Sequence, residues 1–323
     1  MEQSVITTIK NLLPERVVHF LGQWYIILKN PVVGTGFFLN DIRQDYLALT
    51  GKVSYPHHII LIIGIPKSGT SWIEQLLNQL PGFVQANNSV IRSFTGKRLL
   101  PHLHDINDAM FYGCPKKRYS FLKLHTHYSL ENIATIERVG VRPIIIIRDL
   151  RDMMISRYYH TMSDPGHWMY STIGHLTPEQ GFLRSLYDID ELEGIDPIDY
   201  FAQWIDDWIS YSKAHPEAVL IIKYEEMKHD VHATLKRLLA FTDINIGNEA
   251  VAQIVTDQEK TYRDINRGNL TQKLKQRGRL RSTFRKGQAG GWKSFFTEEH
   301  KEAFKKRAGN TLITSGYEKD LSW

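Results

Sequence analysis

A chain of 323 residues, 42% hydrophobic and 23% charged, suits one large α/β domain or two small ones and is ordinary for a soluble globular protein. A formal charge of +5 favours an anionic ligand or surface, and a single cysteine, Cys114, excludes an internal disulfide and fits a reducing, cytoplasmic setting. No stretch reaches the roughly 18 uninterrupted apolar residues of a membrane span, and the N-terminus shows no signal-peptide pattern.

In chain order, the first feature is the apolar and aromatic run "VVHFLGQWYIILKNPVVGTGFF", residues 17–38. It reads as helix packing on the core, with a peripheral membrane or partner contact as the less favoured reading. Residues 1–50 are accordingly read as an N-terminal apolar, helical extension, and residues 51–323 as the main domain.

Next comes "HHIILIIGIPKSGTSW", residues 57–72. An aliphatic strand, Ile59–Ile63, runs into Gly64, and four residues later Gly69 precedes Thr70 and Ser71. The glycine spacing is that of the phosphate-binding loop G-x-x-x-x-G-K-[ST], but Thr70 holds the lysine position and the lysine stands at Lys67. Two glycines let the backbone turn and approach an anion, and a helix beginning near Thr70 offers free N–H groups and its positive dipole end. Lys67, Ser68, Thr70 and Ser71 add a point charge and hydroxyl donors.

Two further aliphatic runs, Ile144–Ile147 and Val219–Ile222, and a more mixed one, "YSFLKLHTH" at 119–127, complete a set of strands. Runs apolar on both faces are the mark of buried parallel strands, so the pattern predicts a single three-layer α/β domain with a central parallel sheet flanked by helices. Helices are expected at Ser71–Leu80, Arg151–His160, Pro197–Lys213 and Val231–Phe241. Ligands in such sheets bind beyond the carboxyl ends of the strands, which places Pro66–Ser71, His125, Arg148–Ser156 and Tyr224 on one rim. The strand at Ile144–Ile147 ends in Arg148, which suits a phosphate better than the metal-binding acid a nucleotide-triphosphate site requires there.

The motif set resembles the cytosolic-type sulfotransferases, which use 3′-phosphoadenosine-5′-phosphosulfate (PAPS). "PKSGTSW" looks like their phosphosulfate-binding loop, "RDLRDMMISRYYH" (148–160) like their 3′-phosphate segment, and "RKGQAGGWKSFFT" (285–297) like their C-terminal signature. The three occur in the family's order, and the similarity runs from about Ile59 to the final "GYEKDLSW". The resemblance implies that Lys67, Ser68, Gly69, Thr70 and Ser71 hold the 5′-phosphosulfate and that Trp72 stacks on adenine, its alternative being a core tryptophan. It assigns the 3′-phosphate to Arg148, Ser156, Arg285, Lys286 and Gly287, and places Tyr224 near the nucleotide. Ser156 also counts among the catalytic residues with Lys67. In "KLHTHYS", His125 becomes the general base that removes the acceptor's proton, with Lys123 stabilising a sulfuryl oxygen and His127 as second candidate. No metal is implied, and the product would be adenosine 3′,5′-bisphosphate.

Two positions depart from the family. Gly291 stands where the signature has aspartate, which should loosen that segment. Glu298 replaces a valine in the relatives' dimerisation motif, here "KSFFTEEHKE" (293–302), and leaves the oligomeric state open. The nearest candidate for another nucleotide contact is "EKTYRD", with Thr261 and Tyr262. Between Tyr159 and Pro197 a long segment rich in aromatics, glycine and proline reads as an irregular lid, framing with residues 83–112 the pocket of a small-molecule acceptor. Two other readings compete: a P-loop small-molecule kinase, and a nucleic-acid or membrane-binding module built on the basic run 273–287. The latter is more simply a solvated loop meeting the cofactor, so no nucleic-acid partner is expected.

Overall fold

Aliphatic strands with no polar face are stable only where both sides are covered. Ile59–Gly64 (β1) obeys this, with Leu61, Ile62 and Ile63 wholly buried. The computed structural model of the chain describes residues 59–80, 83–85, 105–106, 119–187, 194–266 and 289–323, together with 39, 42 and 46. Its other strands are Phe83–Gln85 (β2), Tyr119–Leu124 (β3), Arg142–Ile147 (β4) and Leu220–Lys223 (β5), and the sheet order is β2-β3-β1-β4-β5. β1 and β2 each run parallel to β3, and β1 is in register from Ile59↔Ser120 to Ile63↔Leu124.

Parallel neighbours need crossovers, and helices supply them. They are Thr70–Leu77 (α1), Leu130–Val139 (α2), Leu150–Met162 (α3), Tyr170–Ile173 (α4), Pro178–Arg184 (α5), Pro197–Ala214 (α6), Tyr224–His229 (α7), Val231–Phe241 (α8), Asn248–Asn266 (α9) and Glu298–Thr314 (α10), with a 3₁₀ turn at Gly291–Ser294. The architecture is thus the expected one, a single sheet of parallel strands flanked by helices. The four expected strands and four expected helices are present, shifted by a few residues at most ends. The expected boundary at residue 50 and the apolar run 17–38 lie outside the described residues.

By packing, the chain divides into two compact units. The first comprises Met1–Ile63, Trp72–Ile144 and His232–Gln258. Its core gathers Ile73, Leu76 and Leu77 of α1 with Phe121, Leu122, Ile133 and Ile136. Buried Gln258 ties α9 to α1, accepting from Gln79 and donating to Gln75, each at 2.9 Å.

The second unit comprises Gly64–Ser71, Ile145–Val231 and Glu259–Trp323. Here the apolar stripe of α6, with Ile198, Phe201, Ile205 and Trp208 buried, packs as its period predicts. Arg307 on α10 pairs with Asp196 and Asp199 at the start of α6, while Thr311 donates to Asp206. The segment after Tyr159, expected to be irregular, instead builds α4 and α5. Thr177 and Gln180 form a capping box around Pro178, a start signal that fixes α5. Phe182 of α5 is fully buried among the rings of Tyr158, Phe295, Phe296, His300 and Phe304. The His300 Nδ1 accepts from the Thr297 amide, so Nε2 carries the proton and donates to the Glu179 carbonyl at 3.1 Å.

Candidate active site

The loop after β1 is shaped by what cannot fit. A Cβ on Gly64 would come within 2.6 Å of Thr70 Cγ2 and 2.8 Å of Ser68 Oγ, and one on Gly69, at φ 106°, within 2.7 Å of the Tyr224 ring. Both positions therefore demand glycine, and the loop is pressed close against its own hydroxyls and the start of α7. Lys67 between them is also left-handed, at φ 77°, a conformation that costs a non-glycine residue energy and is concentrated at functional sites. Burial, helped by the neighbouring Arg148, lowers the Lys67 pKa to about 8. Ser68 Oγ is buried without a hydrogen-bond partner among the described residues. Helix α1 then opens at Thr70 with no acidic residue in its first turn, so its positive end is left for an exogenous anion. A partly buried cation, an unused hydroxyl and a helix terminus without an acid in its first turn fit a phosphosulfate or phosphate group.

Arg148, the residue after β4, donates from Nη1 to the Lys67 carbonyl at 3.2 Å and lies 4.4 Å over the Tyr224 ring. Lys67, Gly69, Arg148 and Tyr224 are thus brought together, as the strand-end rule anticipates. Asp149, the acid that follows Arg148 after β4, is otherwise engaged. It caps α3 through the Arg151 amide and is bound by the Arg151 guanidinium at 2.9 and 2.7 Å. Ser156 lies half-buried on α3. Among the described residues no group of three His, Cys, Asp or Glu could hold a metal ion.

Several supporting residues carried no sequence signal. Arg151, 1% exposed, also pairs with Glu318 at 2.5 Å and lies 3.7 and 4.4 Å from the ring centres of Trp292 and Trp323, which meet each other edge to face. The Asp152 carboxylate accepts from the amides of Gly290 and Trp292 at 2.6 and 2.9 Å. The turn that Gly291 was expected to loosen is therefore fastened to α3. Glu225 accepts from the Asp149 amide and from the Tyr317 hydroxyl, so the C-terminal residues brace the strand-end loops.

On β3, Lys123 is partly buried and its ammonium lies 2.5 Å from Glu74 of α1. His125 follows the strand and is half-buried. β1 and β3 end at the same register step, with Ile63 opposite Leu124. His127 Nε2 lies 3.6 Å from Asp105, and its carbonyl accepts from the Asn132 amide group, which also receives the Ile106 amide on its oxygen. Trp72 is 6% exposed within the core of its unit. Arg285, Lys286, Gly287 and the basic run 273–287 lie outside the described residues, as do residues 86–104 and the side chains of Thr261 and Tyr262. Glu298 begins α10, strongly exposed and paired with Lys301 at 2.6 Å. No helix among the described residues is long and apolar enough to cross a membrane.

Known proteins resemble this chain in both sequence and fold. Residues 57–316 match the sulfotransferase domain family. Flavonol 3-sulfotransferase of Flaveria bidentis is 22% identical over 94% of this chain and 96% of its own, and flavonol 4′-sulfotransferase of Flaveria chlorifolia is 25% identical over 86% of each. The crystal structure of mouse sulfotransferase SULT7A1 complexed with PAP superposes with a TM-score of 0.57 at 20% identity, covering 81% of this chain and 86% of that one. The match over residues 57–316 takes in the phosphate loop, both strand-end segments and the C-terminal turn, so the chain belongs to the sulfotransferase domain family and is a PAPS-dependent sulfotransferase.

Proposed function

We propose that this enzyme passes the sulfuryl group to a hydroxyl or amine of a small-molecule acceptor by in-line displacement, with His125 as general base. The observation that carries the reading is the loop itself. Lys67 is partly buried in a left-handed turn beside Arg148, Ser68 Oγ has no partner among the described residues, and Asp149, which follows Arg148, is bound by the Arg151 guanidinium. PAPS supplies an activated sulfuryl group when bound. Lys67, Ser68, Gly69, Thr70 and Ser71 would hold its 5′ end, and the Lys67 ammonium would neutralise charge that builds on the bridging oxygen. Arg148 and Ser156, with Arg285, Lys286 and Gly287, would hold the 3′-phosphate, Arg148 through its planar fork. Tyr224 and Trp72 would contact the nucleoside.

His125 would take the acceptor's proton as the new bond to sulfur forms, and Lys123 would steady a sulfuryl oxygen. His127 is the weaker candidate because its Nε2 already faces Asp105. Relatives named as flavonol sulfotransferases favour a small-molecule acceptor. The single cysteine favours a cytoplasmic setting. A kinase is the second reading, and the engagement of Asp149 by Arg151 speaks against it.

The test is a screen of phenols, alcohols and amines with PAPS, read by mass gain of a sulfuryl group, followed by two variants. Lys67→Ala and His125→Ala should each lower turnover by at least about 100-fold, as removal of a general base or charge stabiliser does. Only Lys67→Ala should weaken adenosine 3′,5′-bisphosphate binding in calorimetry. Full turnover in His125→Ala would sink the base assignment and turn attention to His127.

A further inference from the structure

The Lys123 ammonium is held by Glu74, a residue outside every motif described above. Nζ and Oε2 are 2.5 Å apart, with side-chain exposures of 25% and 16%. Glu74 lies on α1, one turn beyond Thr70, so the helix that opens at the donor loop also carries the carboxylate that meets Lys123. Lys123 is the Cα partner of Ile62, one step before β1 ends. A lysine has four side-chain torsions, and an unanchored ammonium spreads over many positions. A charge-assisted hydrogen bond in a partly buried place confines it.

We propose that Glu74 is a positioning residue for Lys123. It takes one of the three N–H donors of the ammonium and fixes the side chain, leaving the other two donors for a sulfuryl oxygen. This rests on the role given to Lys123 in the proposed function. A carboxylate this close also offsets the charge of the ammonium, so a brake released by deletion is the outcome that would overturn the proposal.

The experiment is a double-mutant cycle on the full-length chain with Glu74→Gln, Lys123→Ala and the pair, using PAPS and the acceptor drawn from the screen, with thermal midpoints as a folding control. Glu74→Gln should lower kcat about tenfold, in line with the cost of a misplaced catalytic group. Its Kd for adenosine 3′,5′-bisphosphate should stay within about twofold, because the residue acts through Lys123 and not on the nucleotide. In the Lys123→Ala background Glu74→Gln should have no further effect, and Glu74→Asp should recover part of the rate. In the ligand-free protein, mass spectrometry after brief treatment with an amine-selective acetylating reagent should show Lys123 modified several-fold faster in Glu74→Gln than in wild type.

Wild-type or faster turnover in Glu74→Gln overturns the proposal, as does an equal loss in both backgrounds, which marks a merely structural role. Unchanged Lys123 acetylation overturns the anchoring on its own. If Lys123→Ala turns over at the full rate, the fault lies in the role assigned to Lys123 in the proposed function, and the positioning role falls with it.

Discussion

Lys67 bears two costs at once, a left-handed backbone and a partly desolvated ammonium. For a residue other than glycine the first is on the order of 1 kcal/mol. The second shows as a pKa lowered from 10.5 to about 8, by burial and then by Arg148. An anion in the loop offsets the second. Below pH 8 the free protein already holds Lys67 charged, so anion binding takes up no proton. Above it, binding must restore the proton, and affinity falls by about tenfold per pH unit until the pKa of the bound lysine is reached. The phosphates of the ligand lose their second proton near pH 6, so they do not contribute in this range. Calorimetry with adenosine 3′,5′-bisphosphate should therefore give a constant Kd up to about pH 7.5 and a rising one beyond 8, and Lys67→Met should bind weakly with no such rise. A flat wild-type profile would place the lysine outside the anion's field. Stability of the free protein moves the other way: the folded pKa lies below the unfolded one, so between about 8 and 10.5 the unfolded chain binds more protons and this group's contribution to folding rises with pH.

Helix α3 and the 3₁₀ turn at Gly291–Ser294 act as one piece because Asp152 receives two backbone donors from the turn. Burial raises the pKa of that carboxyl, and the two amide hydrogen bonds oppose the rise. Asp152→Asn would offer one acceptor oxygen and turn an N–H toward a backbone donor, leaving a buried group unpaired. A loss of about 1–3 kcal/mol is expected, measured from the midpoint of urea unfolding. A Cβ at Gly291 would lie 3.5 Å from Asp152 Oδ1, an ordinary contact. Gly291→Ala should therefore be tolerated, whereas Gly291→Asp, the residue of the relatives' signature, sets a second carboxylate beside the first and should destabilise by roughly 1 kcal/mol. If Gly291→Asp proves neutral, the Asp152 tie is not what holds the turn. Neither tie nor turn was legible, because a carboxylate's partner 138 residues away leaves no local spacing. The strands were legible, since burial on both faces reduces each to an aliphatic run. β2 was not, being three residues long. Helices α9 and α10 were missed for a different reason. Their buried stripes include Gln258, His300 and Thr311, polar groups that reach the core only because each finds a hydrogen-bond partner there.

At the scale of the whole chain, a net charge of +5 said only that an anion was welcome. The order of motifs said which kind, because a nucleotide bearing phosphates at both 5′ and 3′ positions needs two cationic sites on one sheet. A kinase site needs one cationic site and a metal. That difference has a thermal signature. A ligand that binds only the folded chain stabilises it by about 2.7 kcal/mol at one hundred times its Kd. For a protein of this size that is a rise of roughly 4 °C in the unfolding midpoint. Adenosine 3′,5′-bisphosphate should produce this rise in the presence of a chelator, and adenosine 5′-monophosphate at the same concentration a smaller one, since it lacks the group that Arg148 and Ser156 are proposed to hold. Magnesium with ATP should do less than adenosine 3′,5′-bisphosphate. The reverse order, with stabilisation by magnesium and ATP alone, would mean that Asp149 leaves Arg151 to bind a metal. Lys67 would then serve a γ-phosphate, and the strand-end arginine would have misled the reading of the loop.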